Sequence, residues 1–384
     1  KPSGPTACSS FMKPAGRDVS TFSDDLFRQL REKYGIADDF VDSGWSFDSL
    51  ESSGAKGGCL LAFVGSDFVV KELSESDHHS LLTITKAYFE YVYHGDSLLS
   101  GILLHFEDVA TSRKFVVMRN VVGSGPFLAM YDLKGCNDDK TLQLFGSKIQ
   151  SASRLISNVG WICGYPGSQD WSAYSAGKYA AARAEFVVTE SQREEVVRKI
   201  RSDTAWLARQ SLMDYSLVVG IKTVPAGSFP MPKFGQTPLA RNCSDGSAVV
   251  LCVGIIDFLQ QWNLKKMCAR AIKCLECNKA TIPPAAYARR FADHFEDRFV
   301  SVKAAEDRTL FGKGQQPDMA DTMAEPEDMK DVPQQAERCN SPSEALEEDG
   351  ALLERVPRAN EVEAQVGLPT YSDANVAKSL TKQY

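Results

Sequence analysis

No stretch of this 384-residue chain is apolar for long enough to cross a bilayer as a helix. The longest apolar run, Ala248 to Ile256, falls far short of the roughly 20 residues such a span needs. Cysteine is too sparse for a disulfide framework: ten in this length read as thiols in a reducing compartment. Internal repeats are absent. So is a dense basic stripe interleaved with aromatic residues, which disfavours a nucleic-acid partner.

Apolar residues make up 43% of the chain and charged ones 24%, enough for a sizeable core and too much for wholesale disorder. The formal net charge of -7 is unevenly spread. Residues 301–384 hold 9 Lys and Arg against 17 Asp and Glu, a balance of -8, which leaves 34 basic and 33 acidic residues before them, a balance of +1. That tail is also rich in Pro, Ser and Gln with almost no hydrophobic periodicity, the composition of a segment that stays disordered. The expected division is a flexible lead over 1–18, one ordered domain over 19–300 and an acidic disordered tail over 301–384.

Within the ordered part, Asp24 to Tyr34 has helical spacing with Gly35 as a stop. Cys59–Val64 and Phe68–Leu73 flank Gly65-Ser66-Asp67 as a hairpin, and Ser76 to Tyr93 reads as a helix with one apolar face. Gly101–Phe106 and Phe115–Val121 read as strands, and Trp161 to Lys178, lacking a clear period, as a loop. Ser191 and Glu194 fit a capping box opening a helix through Gln210. Tyr215–Ile221 and Ala248–Ile256 are continuous apolar runs suited to buried strands, with a Pro/Gly/Ser-rich loop between them from Thr223 to Ser247. Phe258 to Cys274 reads as helical, and Pro283-Pro284 opens a last helix through Phe299. The layout is α+β: two lobes, an N-terminal antiparallel-sheet lobe and a larger mixed lobe, with the crevice between them as the default ligand site.

Several residues have the types that phosphoryl transfer needs: a backbone cradle, a cation for phosphate, carboxylates for a metal and a group that orients a hydroxyl. Gly54, Gly57 and Gly58 lie in a turn whose amides can approach phosphate oxygens. Lys71 interrupts an apolar strand one hairpin later. Asp132 and Lys134 are two apart, so an extended strand puts them on one side. Asp214 sits between a helix and an apolar strand, and Asp257 ends another, where a carboxylate can reach a cleft mouth and hold Mg²⁺. Taken singly, each also fits an ordinary role: a flexible turn, an edge lysine, a surface ion pair, a cap aspartate.

Taken together and in order, these blocks resemble the catalytic domain of the phosphatidylinositol phosphate kinases. The resemblance rests on Tyr131-Asp132-Leu133-Lys134-Gly135, on Met213 to Ile221, on Gly254-Ile255-Ile256-Asp257-Phe258-Leu259-Gln260 followed by Asn263-Leu264-Lys265-Lys266, and on Tyr287-Ala288-Arg289-Arg290-Phe291. It spans about Val19 to Phe299. It implies a protein-kinase-like two-lobed fold, ATP and Mg²⁺ as cofactors, and a lipid kinase acting on a phosphatidylinositol monophosphate, foremost the 4-phosphate to give the 4,5-bisphosphate. By resemblance, Lys71 contacts ATP phosphates, Asp257 holds Mg²⁺, Asp214 orients or deprotonates the inositol hydroxyl, and Asp132 and Lys134 lie near the transferred phosphate. The segment from Asp257 to Ala286 then includes the activation, or substrate-specificity, loop. Its Lys265, Lys266 and Lys273, with Lys140, are the expected contacts to lipid phosphate and an anionic membrane surface. The implied setting is cytoplasmic and peripheral on the cytosolic face of membranes, with a homodimer left open.

Some positions depart from the family pattern. Cys136 stands where Ser is usual, and Lys140 replaces an Arg, keeping charge but losing the bidentate fork. Asp138 and Asp139 add negative charge beside that site. Such changes motivate a second reading, a catalytically weak phosphoinositide-binding scaffold of the same fold. Cys268, Cys274 and Cys277 lack the spacing and the fourth ligand of a zinc site. No His-Arg-Asp or Asp-Phe-Gly block is visible, which disfavours an ordinary protein kinase.

Overall fold

The computed structural model describes residues 12–52, 60–149, 169–230, 238–243, 245–262 and 281–305, with side chains in all of these except 51–52 and 169–175. Of the disordered tail expected over 301–384, residues 301–305 are described and 306–384 lie outside them.

The N-terminal lobe is built on β1 (Val19–Thr21), β2 (Glu51–Ser52), β3 (Leu60–Val64), β4 (Phe68–Glu72), β5 (Ile102–Asp108) and β6 (Lys114–Arg119). They form one antiparallel sheet in the order β1-β5-β6-β4-β3-β2. Alternation sends Val64, Val70, Phe106, Phe115 and Val117 into one apolar cluster and Val116 and Met118 into the main core on the other side. That side is packed by α1 (Asp24–Lys33) and α2 (Glu75–His94). The Ser74 side chain caps α2 by accepting the Asp77 N–H. The segment ahead of β1 is already tied down, with Met12 buried and Arg17 paired to the buried Asp108 at 3.0 Å.

The second lobe uses β7 (Ala129–Leu133), β8 (Lys140–Leu144), β9 (Ser147–Lys148), β10 (Phe186–Val188), β11 (Ser216–Pro225), β12 (Leu239–Asn242), β13 (Ser247–Ile256) and β14 (Phe299–Ser301). Six of them form an antiparallel sheet, β12-β13-β11-β7-β8-β9, while β10 and β14 pair in parallel. Its helices are α3 (Gln169–Arg183), α4 (Glu190–Arg209) and α5 (Pro284–Arg298). Leu217, Val219, Ile221, Leu251, Val253 and Ile255 point to the core shared with α4 and α5. The α+β, two-lobed expectation is met. Among the described residues no helix is long and apolar enough to cross a membrane.

Four local expectations are corrected. Residues 169–178, expected in a loop, belong to α3, whose run of alanines favours helix without giving it a hydrophobic period. The capping box of α4 begins at Thr189, with Gln192 answering, two residues before the expected one. The expected loop from Thr223 to Ser247 contains the end of β11 and all of β12, because those residues pair with β13. Residues 258–262 form a turn and a bridge rather than helix, since Leu212 pairs with Gln261 there.

Two close approaches join the lobes. Leu98–Ser100 runs alongside β13: the Ile255 N–H donates to the Leu98 carbonyl at 2.7 Å, and the Ser100 N–H to the Ile255 carbonyl at 2.8 Å. Beside it, Val121 lies over Gly254 and Val122 over Gly220. A Cβ on Gly254 would stand 2.6 Å from Val121 Cγ1 and 3.2 Å from the Leu98 carbonyl oxygen. Gly254→Ala is therefore expected to destabilise the protein by about 1–3 kcal/mol, read from urea unfolding midpoints.

Asp203 of α4, fully buried, accepts from Tyr91 Oη at 2.8 Å and from the Leu98 N–H at 2.7 Å. Burial raises its pKa to about 6, against the hydrogen bonds that lower it. The native carboxyl therefore holds a proton more tightly than the unfolded chain does. Its favourable contribution is complete below about pH 4 and is lost as pH rises through about 6, a change of about 3 kcal/mol. Between pH 5 and pH 7.5 the wild-type protein should lose stability relative to Asp203→Asn, and parallel unfolding profiles for the two would contradict this.

Candidate functional site

Three antiparallel strands bring the chemistry to one end of the second sheet. In β7 and β11, Asp132 faces Val218 and Leu133 faces Leu217; in β11 and β13, Ser216 faces Ile256. The end of β7, the start of β11 and the end of β13 therefore coincide. Lys134 follows the first, Asp214 precedes the second and Asp257 follows the third. Asp132 also faces Lys140 at the start of β8. Just outside this edge the chain pairs again: the Met213 N–H donates to the Gln260 carbonyl and the Trp262 N–H to the Ser211 carbonyl, each at 2.9 Å. Asp214 and Asp257 sit between the two pairings in left-handed backbone, at φ 65° and 59°. Non-glycine residues rarely adopt that region, and such strain gathers where side chains are held for a task.

Each aspartate has a lysine. Lys134 Nζ donates to both the carbonyl and Oδ1 of Asp214, at 2.5 Å in each case. Lys71, from β4 of the other lobe, donates to Oδ1 of Asp257. Burial works against the Lys134 charge, but the carboxylates of Asp214, Asp132 and Asp257 outweigh it and hold its pKa above the ordinary lysine value. Desolvation works against the Asp257 carboxylate, yet Lys71 beside it, with Lys134 and Lys140 farther off, keeps its pKa below the usual value. Oδ1 of Asp132 is buried without a hydrogen-bond partner.

The structure thus gathers Lys71, Asp132, Lys134, Lys140, Asp214 and Asp257 at one end of the second sheet, with Lys140 solvent-exposed. Gly54, Gly57 and Gly58 of the expected cradle, and Lys265, Lys266 and Lys273 of the expected specificity loop, lie outside the described residues. So do Cys268, Cys274 and Cys277. Among the described residues no group of three or more His, Cys, Asp or Glu side chains is gathered closely enough to cage a metal alone. A cation such as Mg²⁺ is commonly held by one or two carboxylates together with substrate phosphates. Asp257 and the unpartnered Asp132 Oδ1 offer the hard oxygen donors for it.

The sequence reading missed three contributors. Asp139 is buried and accepts the Lys134 N–H at 2.6 Å. Lys178 of α3 donates to the carbonyls of Asn137 and Asp139, at 2.8 and 2.6 Å. The His294 ring of α5 packs on Gly135, where a Cβ would meet it at 3.2 Å. The sequence marked Asp139 only as negative charge beside Lys140. Nothing local marked Lys178 or His294.

A protein-family model described as phosphatidylinositol-4-phosphate 5-kinase matches residues 45–233 and 231–298. Among curated proteins, the chain is 23% identical to phosphatidylinositol 5-phosphate 4-kinase type-2 gamma of Danio rerio, over 74% of this chain and 78% of that one. It is 24% identical to the Homo sapiens type-2 gamma protein, over 71% and 75%. With phosphatidylinositol 5-phosphate 4-kinase type-2 beta of Rattus norvegicus the identity is 29%, over 52% of this chain and 45% of that one.

Removing one partner of the Lys134–Asp214 pair strands a partly buried charge. Lys134→Met should cost about 1–3 kcal/mol of stability. In the Lys134→Met, Asp214→Asn double variant the loss should be smaller than the sum of the single losses, because both charges leave together. Strict additivity in chemical unfolding would show that the pair is not coupled.

Proposed function

This chain belongs to the phosphatidylinositol phosphate kinase family, enzymes that use ATP as phosphoryl donor, and we propose that it makes phosphatidylinositol 4,5-bisphosphate from a phosphatidylinositol monophosphate. The observation that carries the reading is the meeting of Lys71–Asp257 with Lys134–Asp214 at one sheet end. Those are the cation, metal-binding carboxylate and hydroxyl-facing carboxylate that transfer to an alcohol requires.

In this reading Lys71 binds the nucleotide phosphates, and Asp257 would hold Mg²⁺. When bound, the metal neutralises charge on the transferred group. Asp214, fixed through both its carboxylate and its carbonyl by Lys134, orients the inositol hydroxyl and accepts its proton. Lys134 then faces the charge that builds on the moving phosphate. Asp132 supports the Lys134 charge. Lys140 meets the phosphate already on the ring, aided by Lys265, Lys266 and Lys273, and Gly54, Gly57 and Gly58 cover the nucleotide. A polyanionic substrate embedded in a bilayer makes the protein a peripheral one at an anionic, cytosolic membrane face.

The isomer is the finer question. The sequence reading favoured the 4-phosphate, which is also the substrate in the matching family model's name. The curated relatives are named for the 5-phosphate, phosphorylated at position 4. Their names support the 5-phosphate as the first substrate to test; the two routes give the same product.

The decisive experiment supplies ATP labelled in its γ-phosphate and vesicles carrying the 3-, 4- or 5-monophosphate, with Asp257→Asn as control. The expected result is label in the 4,5-bisphosphate, greatest from the 5-phosphate and reduced about 10²-fold or more in the control. Greatest transfer from the 4-phosphate reverses the isomer assignment. No transfer from any isomer, by folded protein bound to vesicles, favours the scaffold reading.

A further inference from the structure

Lys134 lies one residue past the end of β7, where the strand ladder no longer holds the backbone. What holds it is a carboxylate five residues on. Asp139 Oδ1 accepts the Lys134 N–H at 2.6 Å and the Cys136 N–H at 3.3 Å, and the Gly135 N–H also points at this side chain. Gly135, at φ 67°, turns these amides inward in a conformation open to glycine. Successive N–H groups converging this way make a concavity that accepts an anion. Here the chain's own carboxylate fills it, with its side chain only 8% exposed.

The loop is clamped from two further elements. Lys178 of α3 donates to the carbonyls of Asn137 and Asp139. From α5, His294 packs its ring against Gly135, and its Nε2 lies 4.0 Å from Asp139 Oδ2. Burial, with Arg298 and Arg290 nearby, lowers the His294 pKa to about 4, so at neutral pH the ring is uncharged and this contact is not an ion pair. Burial raises the Asp139 pKa above the ordinary carboxylate value, against the backbone amides that lower it, and the Asp139 charge in turn supports that of Lys178.

We propose that Asp139 is a positioning residue: by gripping the backbone at Lys134, its buried carboxylate sets where the Lys134 ammonium meets Asp214. The inference deepens the kinase reading above and rests on it for its catalytic consequence. It assigns a task to an acidic residue that, from sequence, seemed only to weaken anion binding. The carboxylate is spent inside the loop, turned toward amides rather than toward an incoming phosphate.

The test compares wild type with Asp139→Ala, Asp139→Asn and Lys178→Met. The first readout does not depend on turnover: the rate at which acetic anhydride acylates Lys134, followed by mass spectrometry. Loss of the grip should speed acylation severalfold in Asp139→Ala, less in Lys178→Met, and little in Asp139→Asn, whose amide oxygen can still accept the Lys134 N–H. The second readout is kinetic. In Asp139→Ala, kcat should fall about tenfold to a hundredfold, as misplacement near the reacting atoms does, with KM for ATP within twofold and most of kcat retained in Asp139→Asn. Should Asp139→Ala fail to fold, Lys178→Met carries the same comparison at smaller amplitude. Unchanged Lys134 acylation in folded Asp139→Ala, or in Lys178→Met where that is the folded variant, overturns the positioning role. The expected acylation pattern in a protein that transfers phosphate to no isomer upholds the role and rejects the kinase reading.

Discussion

Everything at the site depends on a pairing of two chain segments outside the regular sheet. Ser211, Leu212 and Met213 pair with Gln260, Gln261 and Trp262, while β11 and β13 pair from Ser216 and Ile256 onward. Asp214 and Asp257 are trapped between those two zones, each in left-handed backbone. A hydrogen-bonded frame on both sides makes that conformation tolerable and leaves the carboxylates little freedom to turn away. Tyr287 of α5 donates to the Tyr215 carbonyl and stacks with Phe291, so the same frame is backed by the core.

Charge at the site is balanced. Lys71, Lys134 and Lys140 face Asp132, Asp214 and Asp257. No member is isolated in low dielectric, which would be costly. Balance also suits a site receiving a highly charged substrate: an excess of cations would bind both reactant and product phosphates tightly, and an excess of carboxylates would repel them.

The fold was legible where burial on both faces writes a continuous apolar run, as in β11 and β13, and where alternation marks a hairpin, as in β3 and β4. Lys71, Asp214 and Asp257 could be read only together: each alone also fits an ordinary structural role, and the order of the blocks that hold them is what joined them. Asp132 and Lys134 were read as alternate residues of one strand, but β7 ends at Leu133, and the Lys134 N–H is held by Asp139 instead. The start of α4 was blurred because Thr189-Glu190-Ser191-Gln192 and Ser191-Gln192-Arg193-Glu194 both have the form of a capping box, and only backbone geometry chooses between them. α3 was missed because Ala and Ser give no stripe to read. Asp139 could not be recognised because its burial comes from amides that Gly135 turns inward and from helices α3 and α5, which arrive from far along the chain.

The contact between Lys71 and Asp257 joins the two lobes, one end in each sheet. Each charge there is answered by the other. Any ligand that parts the two has to replace both partners, offering an anion to Lys71 and a cation to Asp257, or leave water to do so.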